Sequence, residues 1–419
     1  MRFIIPCLIA IAVLCSDLKA QGEAAVPFLL IQPSADIQGM AGAYTGLPSN
    51  DSFGFFYNPA QIGNFSRTDN LSIGYMHAEW LPQFDFSDLY FESSGFSSGY
   101  SLSRLPRPIP VNFGFGYMKG YLNLGENVWT DETGAELGRF ESKEWYDAYA
   151  FGASFDWYFL ISAGFTYKSI TSRLAPPIII GSETKEYNFD AKANAFDFGA
   201  LVTMPFDRLY YGVFSGMFTE RFMLYPVTNL SFGLALNNVG DEIKYIDAAQ
   251  KDPLPREAKI GYGLNMGLNM ILNGISMDLF KVQLASEADD IMIKRLDDGG
   301  WKYTSFAEDI SIKKNILQKH GDEKVVNRNG YSVECAEIIR FSYGKFYGHG
   351  YSNIKTEGYS VRARGILKLV AALVYPGHSL KILPHFDLVY SSSIYETADR
   401  AHPLNETEFK CLSLAVYGF

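Results

Sequence analysis

Apolar and polar positions alternate with a period of two along most of this 419-residue chain. From 158 to 168, Phe159, Ile161, Ala163, Phe165 and Tyr167 share one face, while Tyr158, Leu160, Ser162, Gly164, Thr166 and Lys168 share the other. Residues 111–118 set Val111, Phe113, Phe115 and Tyr117 against Asn112, Gly114, Gly116 and Met118. The stretches 229–237, 259–266 and 337–344 repeat the pattern; in the last, Ile339, Phe341 and Tyr343 oppose Ile338, Arg340, Ser342 and Gly344. Side chains of a strand point alternately to two faces, so each stretch predicts a strand with one oily and one polar or tiny face. A soluble sandwich would turn the oily face inward. Here the oily faces are aromatic-rich, with Tyr near strand ends, and the opposite faces carry many glycines. Lipid outside, aromatic girdles at its edges and a packed polar interior explain both features.

A coarse count places strands near 70–80, 95–104, 110–120, 145–156, 158–170, 194–204, 210–218, 228–238, 257–268, 272–282, 335–346, 358–373, 380–391 and 408–419, with 84–91 as a further candidate. That gives about 14, an even number, as bacterial outer-membrane barrels have. The expected fold is all-β: a monomeric transmembrane antiparallel β-barrel of residues 67–419. One region breaks the pattern. Residues 286–329 hold 17 charged residues in 44, about twice the density of a chain that is 20% charged. Within it, Phe306, Ile310, Ile312, Ile316 and Leu317 fall near helical spacing. We expect a charged, partly helical surface loop at 283–334, on the extracellular side; loops this long are usually functional or disordered.

Composition narrows the classes. Hydrophobic residues make up 47% and aromatic residues 15%, which excludes a disordered chain. A formal charge of −10 argues against nucleic acid, whose phosphates need a basic face. Mean hydropathy is −0.03, too polar for a bundle of membrane helices, and no internal stretch supplies 18 apolar residues. Residues 1–20 have the layout of a secretory signal peptide: basic Arg2, an apolar run from Phe3 to Cys15, and a small residue at Ala20. Cleavage before Cys15 is less favoured, because bulky Leu14 stands where a small residue is wanted. An exported chain without a spanning helix can enter a membrane only as a closed barrel, which satisfies its own backbone. Cys335 and Cys411 outlast the signal and read as two free thiols.

The chain ends on Ala415-Val416-Tyr417-Gly418-Phe419. A terminal Phe with an aromatic two residues earlier, closing an alternating strand, resembles the recognition signal of outer-membrane barrels. Tyr417 and Phe419 are thus the candidate barrel-assembly signal, with the barrel-assembly machinery and outer-membrane lipid as partners. Localisation would be the outer membrane of a Gram-negative bacterium.

Residues 21–66 do not alternate, and 24–66 are rich in turn residues: Gly39, Gly42, Gly46, Pro48, Ser49, Asn50, Asp51, Gly54, Asn58 and Pro59. Such a segment ahead of the first strand can fold into the lumen as a plug, where polar backbone meets a polar wall. PFLLI at 27–31, GMAGAYTG at 39–46 and FYNPAQIG at 56–63 together resemble the start of the PorV/PorQ family of outer-membrane proteins, within the FadL-like superfamily of 14-stranded barrels with an N-terminal hatch. Ala195 to Gly199 resembles the family's AFD-x-G strand. Leu234 to Gly240, Ile243 to Tyr245 and Pro253 to Pro255 resemble its asparagine-glycine turn and PLP loop, and Met277 to Lys281 the strand after it. Residues 283–357 match poorly, and Ala41 stands where a second glycine of GMGG is usual.

The resemblance implies a role in type IX protein secretion and cell-surface attachment, acting by protein docking on the extracellular rim, with the translocon, attachment proteins and secreted cargo as partners. The FadL branch implies the alternative: passage of hydrophobic small molecules through the barrel wall. The candidate hatch residues are Gly39, Met40, Gly42, Asn58, Pro59 and Ala60. Asn58-Pro59-Ala60 reads either as a gate or as a structural turn that wedges the plug, since Asn bonds its own backbone and Pro fixes φ. Gly39 and Gly42 read as positions of close approach or positive φ.

Candidate chemistry changes little. Gly95-Phe96-Ser97-Ser98-Gly99 matches a G-x-S-x-G nucleophile pattern, but that motif needs a strand-to-helix elbow, and an alternating strand follows here. The six histidines, at 77, 320, 349, 378, 385 and 402, form no ligand spacing, and Asp131-Glu132-Thr133-Gly134 lacks a full calcium loop. Catalytic residues, metal and cofactor are therefore expected to be none, and the chain is read as no enzyme. A barrel enzyme would instead gather His, Asp and Ser side chains at the rim. An apolar pocket running from rim to wall would favour transport, and an occluded lumen would favour docking.

Overall fold

The computed structural model describes residues 24–418 except 69, 85, 87, 131–132, 176–177, 180–185, 188–189, 207, 209–221, 246–250, 297–299 and 374–381. The signal-peptide reading of 1–20, the strand expected at 210–218 and Phe419 lie outside the described residues. Fourteen antiparallel strands close into one barrel. They are β1 Asn70–Glu79, β2 Leu89–Ser101, β3 Val111–Thr130, β4 Glu136–Asp156, β5 Leu160–Arg173, β6 Asp190–Pro205 and β7 Phe222–Gly240. The second half is β8 Glu257–Leu272, β9 Ile275–Ile291, β10 Val325–Cys335, β11 Ile339–Gly348, β12 Tyr351–Arg362, β13 Phe386–Glu396 and β14 Glu408–Tyr417. Each strand pairs with the next, and β1 closes the ring against β14, from Asn70 beside Tyr417 to Ala78 beside Phe409. Three further two-stranded ribbons, among them 243–244 with 251–252 and 293–295 with 301–303, stand outside the barrel sheet.

The alternation decides which face meets what. Ile161 and Phe165 are 51% and 44% exposed, and Phe113, Phe151, Phe198 and Phe232 are exposed with them on the outer wall. The polar partners point inward and are buried, Lys168, Asn112, Ser231 and Asn237 among them. An oily outside around a polar inside is the inverse of a soluble core and is the pattern of a barrel in lipid. Inside, Lys168 pairs with Asp197 at 2.8 Å, and Asn238 at φ 58 inserts an extra residue opposite Asp197. This bulge lets the Asn238 amide donate to Asp197 at 2.7 Å and satisfies the buried charge. The Asn237 to Gly240 stretch is thus part of β7, where the sequence suggested a turn.

Both chain ends of the barrel, at Asn70 and Tyr417, lie on one rim with tight turns such as Asn273-Gly274, whose φ values are 51 and 82. The other rim carries the connections 241–256, 292–324 and 397–407 beside the two-residue turn 349–350, while the connection 363–385 with its helix lies on the first. In barrels of this kind the short turns face the periplasm and the long loops the outside. About 9–11 residues cross a bilayer, so β3 and β4, with 20 and 21, project well past it on the long-loop side.

Several bounds differ from expectation, most of all in two regions. The charged excursion runs over 292–324, inside the expected 283–334, because β9 continues to Ile291 and β10 begins at Val325. The charges at 287, 289 and 328 belong to strands, where they face the lumen and bind one another. The helical part is a single π-type turn, Ile312–Leu317. Residues 358–373 are one strand end and one helix: β12 stops at Arg362 and Arg364–Leu373 is helical. The apolar run suited either period; Gly365, Lys368, Ala371 and Ala372 fall on one buried helical face.

Candidate functional site in the barrel lumen

Residues 24–66 lie against the inward faces of strands all around the barrel. The Ala25 amide donates to Pro253 O at 3.0 Å on the long-loop rim, and the Asn70 side chain donates to Phe65 O at 2.6 Å beside the other rim. The segment thus traverses the lumen from one mouth to the other. It carries its own apolar core, with Phe28, Leu29, Phe53, Phe55 and Tyr57 all nearly inaccessible. Three short helices organise it: α1 Ala35–Gln38, α2 Gly54–Tyr57 and α3 Gln61–Phe65. Ser34 caps α1, its hydroxyl accepting from the Ile37 amide at 3.3 Å and donating to Asp51 at 2.6 Å. Gln61 ties the later half together, donating to Tyr44 O and Leu47 O and accepting from the Ser49 amide.

The predicted hatch residues fall on two different walls. Gly39, Met40 and Gly42 sit against β10 to β12. Thr356 donates to Gly39 O at 3.0 Å and accepts from the Ala41 amide at 3.0 Å. Met40 is fully buried with its Sδ 3.0 Å from an Arg340 nitrogen. Gly42 has φ 71 and a Cβ there would run into Gln32, so glycine is required twice over. Asn58, Pro59 and Ala60 sit against β5 and β6. Asn58 donates to Thr45 O at 2.8 Å and to Ala200 O at 3.0 Å, and accepts from the Ala60 amide at 3.0 Å. Cβ atoms at Gly164 and Gly199 would collide with Pro59 and Asn58 respectively. The motif is a turn wedged on the wall, with every polar atom of Asn58 engaged.

Charge locks the segment in place. Asp36 in the first turn of α1 meets Arg340 of β11 at 2.8 Å and Arg362 of β12 at 2.9 Å. Burial alone would raise the Asp36 pKa, but the two guanidiniums outweigh it and hold the carboxyl below its ordinary range. Arg362 also faces Glu334 at 3.6 Å and Asp387 at 3.9 Å. A second clamp holds the next turn: Glu287 accepts from the Thr45 amide at 2.8 Å, and Arg328 donates to Ala41 O at 3.1 Å while pairing with Asp289 at 2.5 Å. The sequence reading put Arg340 on a polar face but assigned no role to it, Asp36 or Arg362. The available signal was two arginines at inward positions of adjacent strands, which demand a carboxylate in so enclosed a space.

Among the described residues, two cavities lie beside the segment towards the short-turn rim. One, of about 100 Å³, is lined by Asp36, Asp51, Glu334, Arg340 and Arg362; the other, of about 440 Å³, by Arg67, Asn70, Asp156, Gln283 and Arg364. Lys281 and Tyr417 line both. Tyr417 therefore points into the lumen, with Arg364 4.3 Å from its ring and its carbonyl accepting from His385 at 2.6 Å. Both cavities have charged and amide walls, and neither offers a greasy path from rim to wall.

The chemistry-bearing motifs are scattered. Ser97 of the G-x-S-x-G match lies within β2 and donates to Ser52 O at 3.0 Å, so no nucleophile elbow exists there. His77 meets Glu92 on the outer wall, His320 meets Tyr347 edge-on, and His385 serves Tyr417. Among the described residues, no group of three or more His, Cys, Asp or Glu side chains is arranged to hold a metal ion. Cys335 is exposed and Cys411 buried, both free.

No family model and no curated protein matches the chain. Among solved structures it is similar to the Pseudomonas putida toluene transporter TodX, at 10% identity and a TM-score of 0.37, over 93% of this chain and 99% of that one. It is also similar to a Pseudomonas aeruginosa FadL homologue, at 9% identity and a TM-score of 0.40, over 92% and 98%. CdiB from Acinetobacter baumannii follows at 7% identity and a TM-score of 0.34, over 84% of this chain and 60% of that one.

Proposed function

We propose that the protein is an outer-membrane barrel sealed by its N-terminal segment, residues 21–66, and that it works by docking other proteins on its extracellular rim, as a PorV/PorQ-like component of type IX secretion and cell-surface attachment. The observation that carries this reading is the occupied lumen. The segment is clamped by Asp36, Ala41, Thr45 and Asn58 to opposite walls, and the cavities beside it, of about 100 and 440 Å³, are walled by charged and amide groups. A hydrophobic molecule would need a continuous apolar channel, which charged walls do not supply. A docking protein needs only an exposed rim, and the 20- and 21-residue strands β3 and β4 raise one. The residue pattern of 27–63 and the downstream matches support the family-level part of the reading.

The test is genetic and chemical together. In a strain lacking the gene, proteins that carry the C-terminal sorting domain should accumulate in the periplasm, while uptake of toluene-like or fatty substrates stays unchanged. The opposite pair of results, normal surface attachment with impaired uptake, would replace docking by FadL-like transport.

A further inference from the structure

Within the connection 292–324, the turn Ile312–Leu317 folds down over the outer wall. On β9, Phe280 and Leu284 are exposed to the membrane side, and Ala288 shares their parity yet is fully buried. On β10, Tyr331 is exposed outward, while Val325 and Asn327 of the same parity are buried. The cover is the turn Ile312–Leu317: Ile316 packs on Ala288 and Val325, and Asn327 donates to Asn315 O at 2.7 Å.

Below this strap the outer wall holds a groove of about 240 Å³. Leu264 and Leu284 form its floor, and the rings of Tyr262, Tyr331 and Tyr343 its sides. Tyr331 and Tyr343 face each other across β10 and β11 with ring centroids 5.3 Å apart. Lys319 of the strap and Lys345 of β11 line the groove as well, the Lys345 ammonium 5.7 Å from the centroid of the Tyr347 ring. Lys355 lies directly across from Lys345 in register on β12, exposed like it. Among the described residues, none of the three has a carboxylate within ion-pair distance. The groove opens to the lipid side of the wall, where the outward row passes from Leu284, Tyr331 and Tyr343 to Ser286, Asn329 and Lys345 on the way to the long-loop rim. Its occupant is therefore a membrane component, apolar along the floor and anionic at the lysines.

We propose that this groove is a binding site for one molecule of the phosphorylated glycolipid of the extracellular leaflet, lipid A, with an acyl chain along Leu264 and Leu284 and a phosphate between Lys319 and Lys345. The assignment rests on the outer-membrane reading, since that leaflet is where the groove lies. It does not depend on docking. Tyr side chains at the rim of the apolar stretch suit the boundary between acyl chains and headgroups. Two lysines with no carboxylate within ion-pair distance leave positive charge that a lipid phosphate neutralises.

The full chain is placed in nanodiscs of phosphatidylcholine doped with lipid A or, at matched charge, with phosphatidylglycerol, and lipid retained on the released protein is read by native mass spectrometry. The site predicts one retained lipid A on the wild type and about tenfold less on the K319Q/K345Q double variant. Phosphatidylglycerol should be retained less than lipid A. Equal retention by wild type and double variant would overturn the site. Equal retention of the two anionic lipids would overturn the choice of lipid A. Heat-modifiable migration in dodecyl sulfate, unchanged in the variant, certifies a folded barrel. Failure of the protein to enter nanodiscs would sink the outer-membrane reading instead, which keeps the two failures apart.

Discussion

Single residues in the lumen behave as parts of a tightly filled space. A valine at Gly199 would drive its side chain into Asn58, so Gly199→Val should lower barrel stability by about 1–3 kcal/mol, read as an earlier heat-modifiable unfolding midpoint. Asp36→Asn removes the carboxylate shared by Arg340 and Arg362. Breaking a buried pair from one side costs about 3–5 kcal/mol, and urea unfolding in detergent measures it. The same carboxyl sets a pH dependence. Its folded pKa lies below the ordinary 3.8, so its stabilisation is complete at neutral pH. It fades as pH drops below that ordinary value and is gone under the folded one. Unfolding midpoints for wild type should therefore fall towards those of Asp36→Asn in strong acid, and a constant gap would refute the assignment. None of this was visible as a motif. The glycines and Asn58 could be picked out by turn chemistry, but the partners of Asp36 lie some 300 residues away, and a sequence shows no such distance closing.

Elements were legible wherever a strand had one oily face and one polar face. Residues 111–118, 160–168 and 259–266 lie in β3, β5 and β8, because lipid on one side and packed lumen on the other enforce a strict period. The alternation failed on β10. Its inward Arg328 and the strap-covered Val325 and Asn327 break the oily stripe, so the strand read as loop. The helix Arg364–Leu373 failed for the opposite reason, a short apolar run that fits both periods. The strap itself hangs on Asp322, which accepts from the Val325 and Lys324 amides at 3.0 Å and from Lys314 at 2.6 Å. Asp322→Asn weakens charge-assisted bonds, so trypsin should cut at Lys313 and Lys314 roughly tenfold faster in intact cells. Unaltered cleavage would mean that Ile316 packing alone retains the strap.

At the scale of the whole molecule, the sealed lumen predicts electrical silence. The wild type in a planar bilayer should show negligible ionic conductance, whereas removal of 24–66 should yield a steady water-filled pore. High conductance from the intact chain would contradict the filled lumen. The exterior character was readable from alternation and charge, and the total of 14 was reached with β10 left out and 210–218 counted in; what the interior contains was suggested only by the non-alternating start of the chain and by its resemblance to hatch-bearing barrels. The route of that start has a bearing on biogenesis. It precedes β1, crosses the lumen from mouth to mouth, and is encircled by a ring whose final seam joins β1 to β14. A finished hoop could not admit it sideways. If the segment is enclosed before that seam forms, insertion ends with the last strand zipping shut around a guest that is already aboard, and a chain that closes too early is left hollow.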